Sequence, residues 1–222
     1  MSALLGCTER RRGDLEDAEI YAIGDSIMYW NLEDEASIPH VVGEQLDRPI
    51  YNAAIGGTEF LSSEEEEAIP EQYQEGGWSW LLVDGGGNDV NNRCVCGDCG
   101  DVLDQILSED GERGAMADFT REVAASGVRV MIMGYYELPS GADFEFDGCQ
   151  DELATLSDRQ QRLADAVDGI WFADGREVVD GEDLSMFVDD LVHPSIEGSR
   201  VVGEQLAQRI AAAEEETETA AQ

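Results

Sequence analysis

Residues 80–83, Trp-Leu-Leu-Val, form an unbroken apolar run that stops at Asp84 and three consecutive glycines. A strand with one wet face alternates between apolar and polar residues. A continuous apolar run ended by glycines suits a strand covered on both faces, the usual state of a strand in a parallel sheet. Glu19–Ile23, Ile50–Asn52, Val128–Met133 and the stretch IWFAD (170–174) also read as strands. Between them lie helical patterns. Residues 36–46 carry Ile38, Val41, Val42 and Leu46 at helical spacing, with Pro39 near the first turn. Val102–Leu107, Ala115–Ala125 and 150–168 read as further helices, and Val201, Val202, Leu206 and Ile210 mark an amphipathic helix near the C-terminus. Strands and helices alternate five times without an internal repeat. The prediction is one α/β domain over 18–212, a five-stranded parallel sheet with helices on both faces. Residues 1–17 read as a leader or linker and 213–222 as a frayed acidic tail. Ser62 or Ser63 can cap a short helix carrying the Glu64–Glu67 run, although a solvated acidic face fits that run better.

Ligands of such sheets bind beyond the carboxyl ends of the strands. Three polar loops fall there: Gly24-Asp25-Ser26 after the first strand, Gly56-Gly57 after the second, and Gly86-Gly87-Asn88-Asp89 after the third. A serine on that rim becomes a nucleophile if a base and a group that orients the base are at hand. The chain has two histidines. His40 falls inside the first helix pattern and reads as surface or packing. His193 sits in VDDLVHPS just before a helix, with Asp190 three residues upstream, a spacing that lets a carboxylate reach Nδ1 across a turn. The glycine loops can offer backbone N–H groups, and Asn88 a side-chain amide, to a developing oxyanion.

Taken in order, these pieces resemble the four sequence blocks of the SGNH hydrolases, also called the GDSL esterase/lipase family. Gly24-Asp25-Ser26 resembles the nucleophile block, with Ile27 where the family usually has Leu. NAAIGGT resembles the second block, and counting from Asn52 makes Gly57 the oxyanion glycine, with Gly56 second. GGND (86–89) resembles the third block, and DLVHP (190–194) the last. The resemblance spans about residues 19–210. It implies a three-layer α/β/α sandwich of the flavodoxin-like kind and a serine esterase acting on acyl or acetyl esters without a cofactor. Ser26, His193 and Asp190 would be the triad, and Ser26, Gly57 and Asn88 the oxyanion donors. The alternatives are an idle member of the same fold used for binding, and a module in which the cysteines hold a metal.

Charge narrows the partners. There are 50 acidic residues against 13 basic ones, all arginine, for a net charge of −37. Such a surface repels nucleic acid and anionic lipid. It reads as adaptation to a salty medium, where mutual repulsion is screened. The expected partner is a small-molecule or carbohydrate ester, and the expected state a monomer. Leu4-Leu5-Gly6-Cys7 resembles a lipobox, which would make Cys7 a lipid anchor on an exported, periplasmic or cell-surface protein, although the six residues before it are too few for a signal sequence. The other four cysteines, Cys94, Cys96, Cys99 and Cys149, are disulfide candidates; a zinc site or free thiols are the other readings. Cys94 and Cys96 are too close to pair comfortably, so the disulfide reading joins Cys149 to the cluster.

If the acidity answers to ionic strength, the melting temperature rises between low-salt buffer and molar NaCl, by about 2–4 °C per kcal/mol of repulsion screened. A thermal melt series in NaCl measures it, and a flat or falling curve removes the salt reading.

Overall fold

A computed structural model describes residues 12–62, 67–141 and 144–220. Cys7 and Ser63–Glu66 lie outside the described residues, so the lipobox reading and the reading of the Glu run rest on sequence. Five strands, β1 (Ile20–Ile23), β2 (Ile50–Asn52), β3 (Trp80–Val83), β4 (Arg129–Gly134) and β5 (Ile170–Asp174), form one parallel sheet in the order β2-β1-β3-β4-β5. All four side chains of β3 and all four of β1 are fully buried. That is the condition an unbroken apolar run anticipates, and each buried Ile, Leu or Val among them contributes roughly 1.5–3 kcal/mol of burial.

The helices are α1 (Ser26–Tyr29), α2 (Ile38–Leu46), α3 (Gly87–Cys94), α4 (Gly100–Ile106), α5 (Ala115–Ala125), α6 (Gln150–Ala166) and α7 (Ile196–Ala220). From β1 the chain crosses outward to β2 through α2, then returns past β1 to β3 and continues to β4 and β5. Right-handed crossovers therefore place α2 on one face and the later crossover helices on the other. On its face α2 packs closely against α7, while α5 and α6 pack on β4 and β5 from theirs. Local sequence explains the helices. Pro39 stands in the first turn of α2, and Asp47 closes it in the left-handed region. In α6 the buried residues Leu153, Leu156, Ser157, Gln160 and Leu163 recur every three or four positions.

Both expected chain boundaries need correction. Residues 12–17 are not a detached leader: the Arg12 guanidinium donates to the carbonyls of Asn52 and Ala54 at 2.7 and 3.0 Å, and the Arg12 carbonyl accepts from the Asn52 N–H at 2.7 Å. This segment gives the edge strand β2 a partner on its open side. At the other end, α7 runs on to Ala220 instead of fraying from 213. The reason is Glu214, whose carboxylate accepts from the Trp80 indole at 2.8 Å and pairs with Arg48 and Arg129, each at 3.0 Å. Arg129 in turn stacks over the Trp80 ring at 4.6 Å. One acidic residue of an acidic stretch thus docks onto the base of β3, and Ala213 beside it is buried.

Partial burial raises the Glu214 pKa, but the Trp80 hydrogen bond and the Arg48 and Arg129 charges outweigh it and hold it below the ordinary value. Its stabilisation is therefore present above the pKa of an unfolded Glu and is lost as pH falls through the lower folded value. Glu214→Gln should cost about 1 kcal/mol near pH 7, and the gap to wild type should close below about pH 4. Chemical denaturation at the two pH values measures both.

Candidate active site

The strand order reverses between β1 and β3, and the crevice at such a reversal is where open α/β sheets bind ligands. Ser26 follows β1, and Asn88 follows β3. At the end of β1 the chain turns through Gly24, whose φ of 154° and lack of a Cβ let the Asp84 carboxyl lie against it. The polar backbone atoms of this turn are met by residues drawn from the neighbouring loops and turns. The Gly24 N–H donates to the Gln72 amide oxygen at 2.9 Å, and the Gly24 carbonyl accepts from the Gln72 amide at 3.0 Å and from the Ile55 N–H at 3.1 Å. The Asp25 N–H donates to Asp84 Oδ1 at 3.0 Å. Asp25 caps α1 through Oδ1, which accepts from the Ile27 N–H at 2.8 Å, and its Oδ2 accepts from the Tyr135 hydroxyl at 2.6 Å. Ser26 is thereby the first residue of a short helix, half-buried, at the mouth of the crevice.

Two buried carboxyl groups face each other here. Burial pushes Asp84 well above the ordinary carboxylate range, and the charge of Asp25 pushes it further. Asp25 is raised by burial and held back by its bonds to Tyr135 and Ile27. Of the two, Asp84 is the group pushed further toward the protonated form.

The second loop lies directly over Ser26. A Cβ at Gly56 would sit 3.6 Å from the Ser26 Cβ, and Gly57 has φ of 81°, where glycine is favoured. Asn52 supports the loop: its amide donates to the Met28 carbonyl at 2.9 Å, and its Oδ1 accepts from the Ala54 N–H at 3.1 Å. The third block is not a loop, as expected from sequence, but the first turn of α3. Asn88 donates one amide proton to the Thr58 carbonyl at 2.9 Å, which fixes the plane of its amide. Asp89, buried and raised to about 6, accepts from the N–H groups of Phe60 and Leu61 at 2.6 and 2.9 Å.

From the far side comes His193. Its Nδ1 is 2.7 Å from Asp190 Oδ2, while Asp190 Oδ1 accepts the N–H groups of Val192 and His193, each at 2.9 Å. Partial burial raises the Asp190 pKa, but these bonds leave it below the ordinary value. A carboxylate on Nδ1 fixes the tautomer in which Nε2 carries a lone pair. Trp30, in the turn that ends α1, stacks on the imidazole with ring centroids 3.8 Å apart and planes 11° apart. Next to it, the Asn31 amide donates to the Pro194 carbonyl at 3.1 Å and to Ser199 Oγ at 2.9 Å. The histidine turn is thus pinned to the segment that carries Ser26. His40 belongs elsewhere: it lies on α2 with Nδ1 2.7 Å from the Ser37 hydroxyl.

The four cysteines are paired as Cys94–Cys99 and Cys96–Cys149, with Cα separations of 5.3 and 4.6 Å. The second bond ties the loop after α3 to the start of α6, as the disulfide reading expects. Trp30, Gln72, Asp84 and Tyr135 carry no mark in the sequence as site residues. The one available hint was Asp84, an acid placed where an all-apolar strand ends.

A parallel α/β sandwich with a serine at its switch point, and an aspartate-held histidine pinned to the serine's own segment, is the framework of a hydrolase. The chain belongs to the GDSL-like Lipase/Acylhydrolase family, whose sequence model matches residues 22–201. No curated protein matches it in sequence. Among solved structures it is similar to the inhibitor-bound aryl esterase of M. smegmatis, at 14% identity and a TM-score of 0.65, covering 88% of this chain and 99% of that one. It is also similar to a carbohydrate esterase family 2 enzyme with a carbohydrate binding domain from Corynascus thermopiles (Myceliophthora fergusii), at 17% identity and a TM-score of 0.63, covering 88% of this chain and 66% of that one. At these identities the likeness is one of fold.

Because its folded pKa is raised, Asp84 favours the folded state fully only below the pKa of an unfolded Asp, and that contribution is lost as pH rises through the folded value. Asp84→Asn keeps an acceptor for the Asp25 N–H and has no proton to lose. Its stability relative to wild type should therefore climb as pH rises from about 4 through the raised folded value, whereas Asp84→Ala should cost about 1–3 kcal/mol by orphaning the Asp25 N–H. Melts of the three proteins across pH check the ordering.

Proposed function

We propose that the protein is a serine esterase that hydrolyses carboxylic esters, acyl or acetyl, of small molecules or carbohydrates. The observation that carries this reading is the His193–Asp190 pair, stacked on Trp30 four residues after Ser26. Ser26 Oγ attacks the ester carbonyl while His193 Nε2 takes its proton. Asp190 orients the imidazole and stabilises the cation that forms. The backbone N–H groups of Ser26 and Gly57 and the second amide proton of Asn88 hold the oxyanion. His193 then returns the proton to the departing alkoxide, and a water molecule, activated by the same imidazole, frees the acyl group from Ser26. No cofactor enters these steps.

The net charge of −37 weighs against polyanionic substrates and favours neutral esters. Two disulfides suit an oxidising compartment, in keeping with export and with a lipid anchor at Cys7.

Hydrolysis of p-nitrophenyl acetate tests the reading. Ser26→Ala and His193→Ala should each lower kcat by about 10⁴-fold or more, and Asn88→Ala by about 10²–10³-fold with little change in KM. His40→Ala should stay near wild type. Wild-type activity in Ser26→Ala, or equal losses from the two histidine variants, defeats the assignment.

A further inference from the structure

The loop that lies over Ser26 continues from β2, the edge strand of the sheet. An edge strand turns one row of carbonyls away from its neighbours. Beyond Asn52 the inner side stays bound to the end of β1: the Ala53 N–H donates to the Ala22 carbonyl at 2.8 Å, and the Ile55 N–H to the Gly24 carbonyl at 3.1 Å. The carbonyls on the outer side of the same two peptide planes belong to Asn52 and Ala54. Both accept from one nitrogen, Arg12 Nη1, at 2.7 and 3.0 Å. In an extended strand, carbonyls two residues apart repeat about every 6.6–6.8 Å, too far for one nitrogen to bond both. Arg12 therefore holds a bend, and past the bend the chain reaches Gly56, where a Cβ would lie 3.6 Å from the Ser26 Cβ.

Arg12 also meets α1. Its guanidinium carbon lies 5.6 Å from the centre of the Tyr29 ring, a cation–π distance. A Cβ at Gly56 would lie 3.9 Å from Cδ1 of the same ring. One side chain thus touches both the helix that Ser26 opens and the loop that carries Gly57. The backbone holds Arg12 in turn. Its carbonyl accepts from the Asn52 N–H at 2.7 Å, and Gly13 passes so close to β2 that a Cβ there would collide with the Ile50 carbonyl oxygen.

Arg12 precedes β1 and belongs to none of the four sequence blocks. We infer that it is nonetheless a positioning residue of the active site, in the esterase reading on which this inference rests. Its guanidinium fixes the bend that sets the Gly57 N–H against the oxyanion. It acts through the loop and touches neither the ester nor Ser26 Oγ. A reacting geometry displaced by about 1 Å can cost on the order of 10²-fold in rate, so a clamp on the donor loop belongs to the chemistry as much as to the fold.

The test is kcat and KM for p-nitrophenyl acetate in wild type, Arg12→Lys and Arg12→Ala, read at a temperature where the melt of each variant shows it folded. Arg12→Ala should lower kcat about 10–10²-fold with KM within about twofold. Arg12→Lys, a cation without the planar fork, should fall in between. Guanidinium chloride far below denaturing concentration should restore part of the loss in Arg12→Ala, and sodium chloride at the same ionic strength should not. A fold that was merely weakened would not regain rate from a free guanidinium ion. Wild-type kcat in Arg12→Ala overturns the inference, and so does a loss that both salts restore equally or that neither restores. An Arg12→Ala that folds at no temperature also overturns it, because the arginine would then serve the fold as a whole. An inactive wild type strikes instead at the esterase reading itself.

Discussion

The candidate site depends on one constraint: a backbone turn leaves a sheet buried on both faces, and its N–H and C=O groups must find partners without water. Leaving such a group unpaired costs about 1–3 kcal/mol. The turn at Gly24 and Asp25 presents several at once. Gln72 and Asp84 answer them, while the carboxyl of Asp25 is held in turn by Tyr135. Asp84 and Tyr135 lie just beyond β3 and β4, and Gln72 ends the short helical turn 69–72 before β3, so the ends of three neighbouring strands and this turn converge on the segment that presents Ser26. Within the esterase reading, this makes the serine a rigid reagent. Its position is set by a dry hydrogen-bond network and not by a surface loop.

The same economy appears on the other side of the site. Trp30 and Asn31 follow Ser26 so closely that whatever fixes α1 fixes them too. One stacks on His193, and the other ties the backbone next to it to α7. Serine and histidine therefore share a mount. Burial and the charge of Asp25 raise Asp84 well above the ordinary carboxylate range, because two carboxylates in that mount would repel each other in a medium that screens poorly.

Much of this frame was legible in the chain, for identifiable reasons. Residues 80–83 suited a strand covered on both faces, and the glycine-stopped runs put Ser26 and Asn88 on one rim. Arithmetic on four cysteines reached a bond from Cys149 to the cluster. What escaped depends on contacts distant in sequence. Gly86 and Gly87 read as a loop, yet Gly87 opens α3, with its N–H on the Tyr135 hydroxyl. The tail after 212 looked like solvated acid until Glu214 met Trp80, Arg48 and Arg129. Nothing periodic marks Trp30, because its partner lies at His193, on the other side of the whole sheet's worth of chain.

That separation has a consequence in time. Asn31 and Ser199 are 168 residues apart, and Asn31 and Pro194 are 163 apart. Contacts of such long range close late, since their loop entropy is recovered only after nearer strands have paired. A ribosome threading out the chain from its N-terminus would deliver Ser26, Gly57 and Asn88 well before His193 exists. In the esterase reading, the emerging polypeptide for that interval carries a serine without its proposed base. Reactivity would switch on only when the final helix docks, so turnover would report that the last piece of the fold has arrived.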